Sequence, residues 1–366
     1  MKVGRSPHEL LVEIQRRAQS KEDFLVPTGK AVALIDATTG KPEIAFGDRN
    51  FELTANAHGQ LAEFAGIPFQ YYKKIRDEQP ELWVDNVNTW LRVIAAKRMI
   101  RTLDGKIRAF LSDRFRALEN EDLAAAVLPV LQELGVVIMS AEVTDDKFYL
   151  KAVDERIAKD VPTGHKFGDG FHHIFDTLSP AIVISNSEVG KGRLNITTSV
   201  FTKACTNLAS IDKAGSIRRS HVGSKLDAVF GEEDYGRLLS DETKRLNDAA
   251  LWNTARDVVR GMFERQKFEA LVDETIVPTT ERKIEGAVDL IVKVSAKRFG
   301  LTDTETNDVL KALIEGGSLT QYGLSNAITR ASQDVEDYER ASELEKIGGD
   351  VIQLPASDWK VLAKAA

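Results

Sequence analysis

Apolar positions recur along this chain with two distinct spacings, and each predicts a different kind of element. Near the start, Ala31–Asp36 and Glu43–Phe46 flank a turn-like Thr38-Thr39-Gly40-Lys41 and read as a pair of strands. Helical spacing follows. Thr54 can cap Ala55–Ala65, Pro68 opens a short helix through Phe69-Gln70-Tyr71-Tyr72-Lys73-Lys74, and Pro80 opens another. In that last helix Trp83, Val87, Trp90, Leu91 and Ile94 share one face. Aromatic residues so placed, with Tyr71 and Tyr72, are expected to fill a core.

Two-residue alternation takes over in the middle. Ile107–Ser112 reads as a strand and Glu121–Leu134 as a helix with Leu123, Val127, Val130, Leu131 and Leu134 in its stripe. Val136–Val143 and Phe148–Val153 form a hairpin around Thr144-Asp145-Asp146-Lys147. After a loop with Gly164, Gly168 and Gly170 come the strands Ala181–Ser185 and Arg193–Lys203, joined through Val189-Gly190-Lys191-Gly192. From about Asp227 the pattern becomes long and helical. Leu238, Leu239, Leu246, Trp252, Val259, Met262, Phe263 and Phe268 fit that spacing, and further helices are expected at Glu281–Phe299, Thr304–Glu315 and Thr320–Ile347. No repeat of fixed period is visible. The expectation is an α+β fold: an antiparallel or mixed β-sheet core with packed helices over residues 1–230, then a helical domain over 231–366 suited to oligomerisation.

Bulk composition fits a folded, soluble, cytoplasmic protein. The 366 residues are 43% hydrophobic and 29% charged, with a single cysteine, Cys205, so no internal disulfide is expected. The first residues lack the apolar core of a signal peptide, and no window suits a membrane span. Net charge is −7, but it is unevenly spread. From Leu226 onward there are 18 Lys+Arg against 27 Asp+Glu, whereas Gly190–Lys225 holds seven cations and one acid. Trp90–Arg116 holds eight cations and two acids. Local field, rather than total charge, decides where a polyanion is drawn.

The segment 193–203 shows the chemistry most clearly. One face of that strand carries Leu194, Ile196, Thr198, Val200 and Thr202; the other carries Arg193, Asn195, Thr197, Ser199, Phe201 and Lys203. Hydroxyls and amides donate to phosphate oxygens, cations supply attraction, and an aromatic ring stacks on an unpaired base. With Lys191 before it and Arg218, Arg219, His221 and Lys225 after it, this face is the candidate nucleic-acid surface. Arg98, Arg101, Arg108, Arg114 and Arg116 are candidates for a second basic wall, with Arg108 also able to pair within the sheet and Asp113 to pair locally. The ordinary alternative is a half-solvated strand rich in Thr and Ser.

Catalytic motifs are scarce. There is no phosphate-binding Gly loop, no G-x-S-x-G and no H-E-x-x-H. His165, Asp169, His172, His173 and Asp176 crowd one Gly-rich loop, but their spacing matches no standard zinc pattern. Asp145 and Lys147 suit a metal-dependent nuclease only in outline, since a hairpin turn explains them. Cys205 has no visible His or Asp to activate it.

The run Arg101-Thr-Leu-Asp-Gly-Lys-Ile-Arg-Ala-Phe-Leu-Ser-Asp-Arg-Phe-Arg-Ala-Leu-Glu-Asn120 resembles the phage/plasmid-like protein family catalogued as a domain of unknown function. So do Gly66-Ile67-Pro68 with Tyr71-Tyr72, Val183-Ile-Ser-Asn-Ser-Glu188, Ala204-Cys205-Thr206-Asn207, Arg219-Ser-His221-Val-Gly223 and Tyr322-Gly-Leu-Ser-Asn326-Ala-Ile-Thr329-Arg330. Where the family commonly has Asn-Gly after its Cys, this chain has Thr206-Asn207-Leu208. The resemblance implies residence on a mobile genetic element. Its element order is also similar to that of ring-forming single-strand annealing proteins. That likeness implies a homo-oligomer, ring or filament, that holds single-stranded DNA without cofactor or metal and lets a complement pair. Two other readings stand beside it: a structural or regulatory phage or plasmid protein with an acidic protein partner, and a metal-dependent nuclease using Asp145, Lys147 or the His172/His173 loop.

Overall fold

Ser6 accepts from the Glu9 amide while the Glu9 carboxylate accepts from the Ser6 amide, and this reciprocal cap starts helix α1, Pro7–Ser20. Its buried Leu10 and Ile14 point into the protein. The computed structural model describes residues 1–166, 173–211, 216–219 and 241–364. Two sheets organise them. The first has six strands in the order β1–β5–β6–β4–β3–β2: β1 (Glu22–Pro27), β2 (Val32–Ile35), β3 (Pro42–Phe46), β4 (Arg49–Leu53), β5 (Lys97–Leu103) and β6 (Lys106–Ser112). All its pairs are antiparallel except β4 with β6. Helices α2 (Ala55–Phe64), α3 (Phe69–Glu78) and α4 (Pro80–Val93) cover it, burying Leu61, Tyr72, Trp83, Val87 and Leu91 against Ile44, Phe51, Ile100 and Phe110. Of the aromatic residues expected in this core, Tyr72 and Trp83 are inside; Tyr71 and Trp90 are exposed.

The second sheet is antiparallel: β12 (Asn207–Ser210), β11 (Leu194–Thr202), β10 (His173–Asn186), β8 (Phe148–Val153) and β7 (Val137–Val143), with β9 (Lys159–Lys166) on β10 and β13 (Ile217–Arg219) on β11. One of its faces is apolar. Phe148, Leu150, Ile182, Ile184, Leu194 and Ile196 pack there with α1, α5 (Asn120–Glu133) and α6 (Asp241–Met262). Further along the same sheet, Leu178, Val200 and Ile211 meet Phe268 of α7 (Arg265–Leu271) and Val272 and Ile276 of the π-turn that follows.

The α+β architecture is as expected, with mixed and antiparallel sheets and helices toward the C-terminus. The helices beyond residue 230 do not all form one separate body. After the short α8 (Val277–Thr280), the helices α9 (Val288–Phe299), α10 (Asp303–Gly316), α11 (Gln321–Ala331), α12 (Tyr338–Ile352) and α13 (Ala356–Leu362) share a core of their own. By contrast α6 and α7 belong to the cores of the second sheet, and α12 and α11 lie against β12. The expected boundary at 230/231 lies outside the described residues. One long helix expected over Thr320–Ile347 is two, because the chain turns between Ala331 and Asp337, where the Asp337 side chain caps α12. No helix among the described residues is long and apolar enough to cross a membrane.

Candidate nucleic-acid interface

Strand β11 forms where the alternation placed it, but the middle of its polar face does not reach solvent, while Asn195 is half-buried. Thr197, Ser199 and Phe201 are each at most 2% exposed. The Ser199 hydroxyl donates to Ser210 Oγ at 3.2 Å, Asn195 Nδ2 donates to Thr197 Oγ1 at 2.7 Å, and Phe201 packs among Met1, Val153, Ala181 and Leu208. A strand covered on both faces gives its hydroxyls protein partners instead of phosphates. Phe201 as a stacking platform is therefore a correction: in this fold it is a core ring. Thr197 and Ser199 are interior hydroxyls for the same reason.

The cations at the strand's two ends lie far apart. Lys191 and Arg193 are exposed at one end. Lys203 is half-buried at the other, donating from Nζ to the Glu155 carbonyl at 2.9 Å. Ten residues of strand separate Arg193 from Lys203 by about 33 Å at roughly 3.3 Å per residue. Lys203 thus does not belong with the others. Arg218 and Arg219 do: β13 pairs Arg218 with Asn195 and Arg219 with Leu194, and both are exposed. His221 and Lys225 lie outside the described residues.

The second basic wall divides similarly. Arg101 is fully buried, donating to Asp23 Oδ1 at 2.8 Å, Glu119 Oε1 at 2.6 Å and the Glu188 carbonyl at 2.9 Å. Arg108 is also buried and pairs with Glu188 Oε2 at 2.8 Å, which realises the pairing within the fold rather than a surface role. Arg98 is half-buried over the adjoining rings of Phe64 and Phe110, at 5.0 and 5.1 Å, and donates to the Phe110 carbonyl. Arg101 is a correction to the surface assignment, Arg108 takes the alternative of pairing inside the fold, and Arg98 is half-buried with its guanidinium engaged. Strand β5, on which two of them lie, is a strand the alternation missed. Arg114 is exposed, and Arg116 is partly exposed beside Asp248 at 2.6 Å.

What remains is a rim at the junction of the two sheets. Phe115 packs with Val189, so the loop bearing Arg114 and Arg116 adjoins the loop bearing Lys191 and Arg193. That second loop is held firmly. Ser187 Oγ accepts the Lys191 amide at 2.9 Å and donates to the Asp146 carbonyl, while the Val189 carbonyl accepts from Asn56 and Gln60. Gly190 has φ +80°, and a Cβ there would fall 2.7 Å from Leu111 Cδ2, so only glycine fits without a shift. Asp146 faces Lys191, and burial raises its carboxyl above the usual range.

The rim is supported from below by a carboxylate pair that no motif announced, Glu188 buried and Glu119 half-buried. Glu188 accepts from Arg108 and from the Asn120 amide at 2.8 Å; Glu119 accepts from Arg101 and from Lys21 Nζ at 2.7 Å. Burial and the neighbouring Glu188 raise the Glu119 carboxyl. Burial acts upward on Glu188 too, but Arg108, a hydrogen bond with Glu119 and the Asn120 amide hold it down to about 2. Asn186 completes the network, donating to the Leu118 carbonyl and to Asn120. Segments 101–120 and 183–188 meet here. Segments 204–207 and 322–330 meet elsewhere, where Asn207 Nδ2 donates to the Asn326 carbonyl.

The nuclease candidates lie in a turn. Thr144 Oγ1 accepts the amides of Asp146 and Lys147, and Lys147 Nζ pairs with Glu339 at 3.1 Å. Asp176 accepts from the Tyr322 hydroxyl at 2.9 Å, while Asp169, His172 and the side chains of His165 and His173 lie outside the described residues. Among the described residues no group of three or more potential ligands is arranged to hold a metal. Burial pushes the Cys205 thiol up, against nucleophilic use. Comparison with protein-family models, curated proteins and solved structures finds no match for the chain.

Proposed function

We propose that this chain is a non-catalytic single-stranded DNA-binding protein that assists strand annealing or recombination, acting as a homo-oligomer. The phage or plasmid setting rests on the sequence resemblance alone. One observation carries the binding reading: Lys191, Arg193, Arg218, Arg219, Arg114 and Arg116 gather at one edge where two loops and β13 converge. In a protein of net charge −7, such a gathering gives a phosphate backbone one favoured place to dock. The pair Glu119–Glu188 fixes the loops with little net charge, because Lys21, Arg101 and Arg108 balance these two carboxylates and Asp23.

The test is a titration of a fluorescent oligothymidylate at increasing salt. Binding is expected at low salt and should weaken steeply with salt, with a log–log slope of about −0.7 per phosphate contact. Arg218→Ala/Arg219→Ala should flatten that slope. No binding at low salt, or an unchanged slope in the double variant, overturns the reading.

A further inference from the structure

Both faces of the second sheet are buried, but the second mixes polar groups with the apolar cluster of Val153, Ala181, Phe201 and Leu208. Opposite the apolar face, the register aligns Ser140, Lys151, Ser179, Thr197, Ser199 and Ser210 on one side. All are buried, and Ser179 Oγ lacks a hydrogen-bond partner. A layer meant only to seal a core is better built from apolar side chains, because each buried polar group must recover its lost hydration.

Helix α12 and the first residues of the chain cover this face, and they do so with charge. Glu345 holds Lys151 at 2.7 Å with both groups buried, and Tyr338 lays its ring 4.6 Å from the same Nζ. Six residues earlier on the same helix, Glu339 holds Lys147 at 3.1 Å and accepts from Thr144 Oγ1 at 2.6 Å. The Lys2 amide donates to Glu345, and the Gly4 amide to Ser140 Oγ. Lys147 in turn adjoins the rim, since a Cβ on Gly192 would stand 3.6 Å from Lys147 Cε. A line of cations therefore runs from Lys191 and Arg193 past Lys147 to Lys151, and α12 presents carboxylates to its covered part.

We propose that α12 is an autoinhibitory acidic cover, occupying with Glu339 and Glu345 the positions that phosphates of a single strand take when the helix lifts. The proposal rests on the nucleic-acid reading of the rim. Phosphate oxygens and carboxylate oxygens make the same charge-assisted hydrogen bonds with an ammonium group, so one can replace the other. Opening also returns the buried Lys151 and Glu345 charges to water, and their hydration offsets part of the attraction given up when they separate.

Oligothymidylate binding by the full chain tests this, with salt slope and hydrogen exchange as readouts. Glu339→Gln should raise affinity several-fold, whereas Glu343→Gln, which removes the same charge from a side chain paired with Arg340, should change it little. An equal rise in both overturns the proposal, because only the general field has then changed. Lys151→Met/Glu345→Leu replaces the buried pair by apolar groups, and the salt slope should flatten by about 0.7. Should that variant fail to fold, the native chain still decides: on binding, amides of α12 should exchange faster. Native binding with unchanged slope in a folded double variant, or with unchanged α12 exchange, removes the cover and leaves the rim reading standing. A native chain that does not bind at low salt removes both.

Discussion

Arg101 lies on β5 of the first sheet and Glu188 in the loop after β10 of the second, and the Arg101 guanidinium donates to the Glu188 carbonyl at 2.9 Å while its other nitrogens hold Asp23 and Glu119. One side chain thus ties β1, β5, the segment before α5 and the end of β10. Arg101→Met would leave the half-buried Glu119 beside Glu188 with only Lys21 opposite it. Breaking one side of a buried pair costs about 3–5 kcal/mol, and urea unfolding should show a loss in that range. Arg101→Lys should recover little, because an ammonium group cannot reproduce the fork that reaches three partners. A loss under about 1 kcal/mol, the range of an exposed pair, would mean the network is not a tie between the sheets.

The same network sets a dependence on acid. Glu188 is held down to about 2 in the folded chain, so its contribution is present above the ordinary carboxylate value and is lost as pH falls toward 2. Glu119 runs the opposite way. Its carboxyl is raised, so its contribution is present below the ordinary value and lost as pH rises through the raised one. The urea midpoint of the native chain should fall steeply between pH 4.5 and 2. Glu188→Gln should flatten that fall; an unchanged pH slope would assign acid sensitivity elsewhere.

His58 offers a cleaner titration. It is buried under α3 and α4, its Nδ1 2.8 Å from the Tyr72 hydroxyl, and burial, then Arg76, lower its pKa from 6.5 to about 4. A base with a depressed pKa stabilises the fold fully above 6.5 and progressively less as pH falls from there to about 4. At about 1.36 kcal/mol per pH unit, this one group accounts for roughly 3 kcal/mol. Its imidazole resonances should titrate near 4 in the folded chain. A midpoint near 6.5 would show that the ring is hydrated.

Alternation and capping made most elements legible. The helices at Thr54, Pro68 and Pro80, the hairpin around Asp145 and strand β11 all have local causes. Helix α1 went unread, although Ser6 and Glu9 stand at capping-box spacing before its buried Leu10 and Ile14. Whether a polar face meets water is not a local property. Arg193 to Lys203 alternates like a half-solvated strand, and its middle is buried by parts distant in sequence, Met1 and the first residues against Phe201, with α12 against the neighbouring β12. The arginines were ambiguous for the same reason. Arg101 and Arg114 look alike in sequence, yet one meets Asp23 and Glu119 inside while the other is exposed.

Close packing of that covering helix makes a stability prediction. A Cβ on Gly349 would lie 1.8 Å from the Ser210 carbonyl oxygen, a backbone atom that cannot turn aside. Gly349→Ala must push α12 away from β12, and overpacking of this kind costs about 1–3 kcal/mol. Gly29→Ala, with nothing near its Cβ, is the matched control. Equal thermal midpoints for the two variants would contradict the close approach of helix and strand.

The two ends of β11 allow the rim to be mapped by substitution. Arg193 and Lys203 lie at the two ends of one strand and belong to the same basic segment, so a reading from local sequence gives them equal weight. Their environments differ. Arg193 is exposed beside Lys191 and β13, whereas Lys203 donates to the Glu155 carbonyl at the far end. If phosphates dock on the rim, Arg193→Ala should flatten the salt dependence of oligothymidylate binding by about 0.7, the share of one phosphate contact on a single strand. Lys203→Ala should leave it unchanged with a short oligonucleotide, because a strand seated at one end need not reach about 33 Å along the sheet at roughly 3.3 Å per residue. Equal effects of the two substitutions would place the binding track along the whole edge of the sheet and not at the junction. An effect of Lys203 alone would move it to the opposite end, where Asp176, Tyr322 and Asn326 meet.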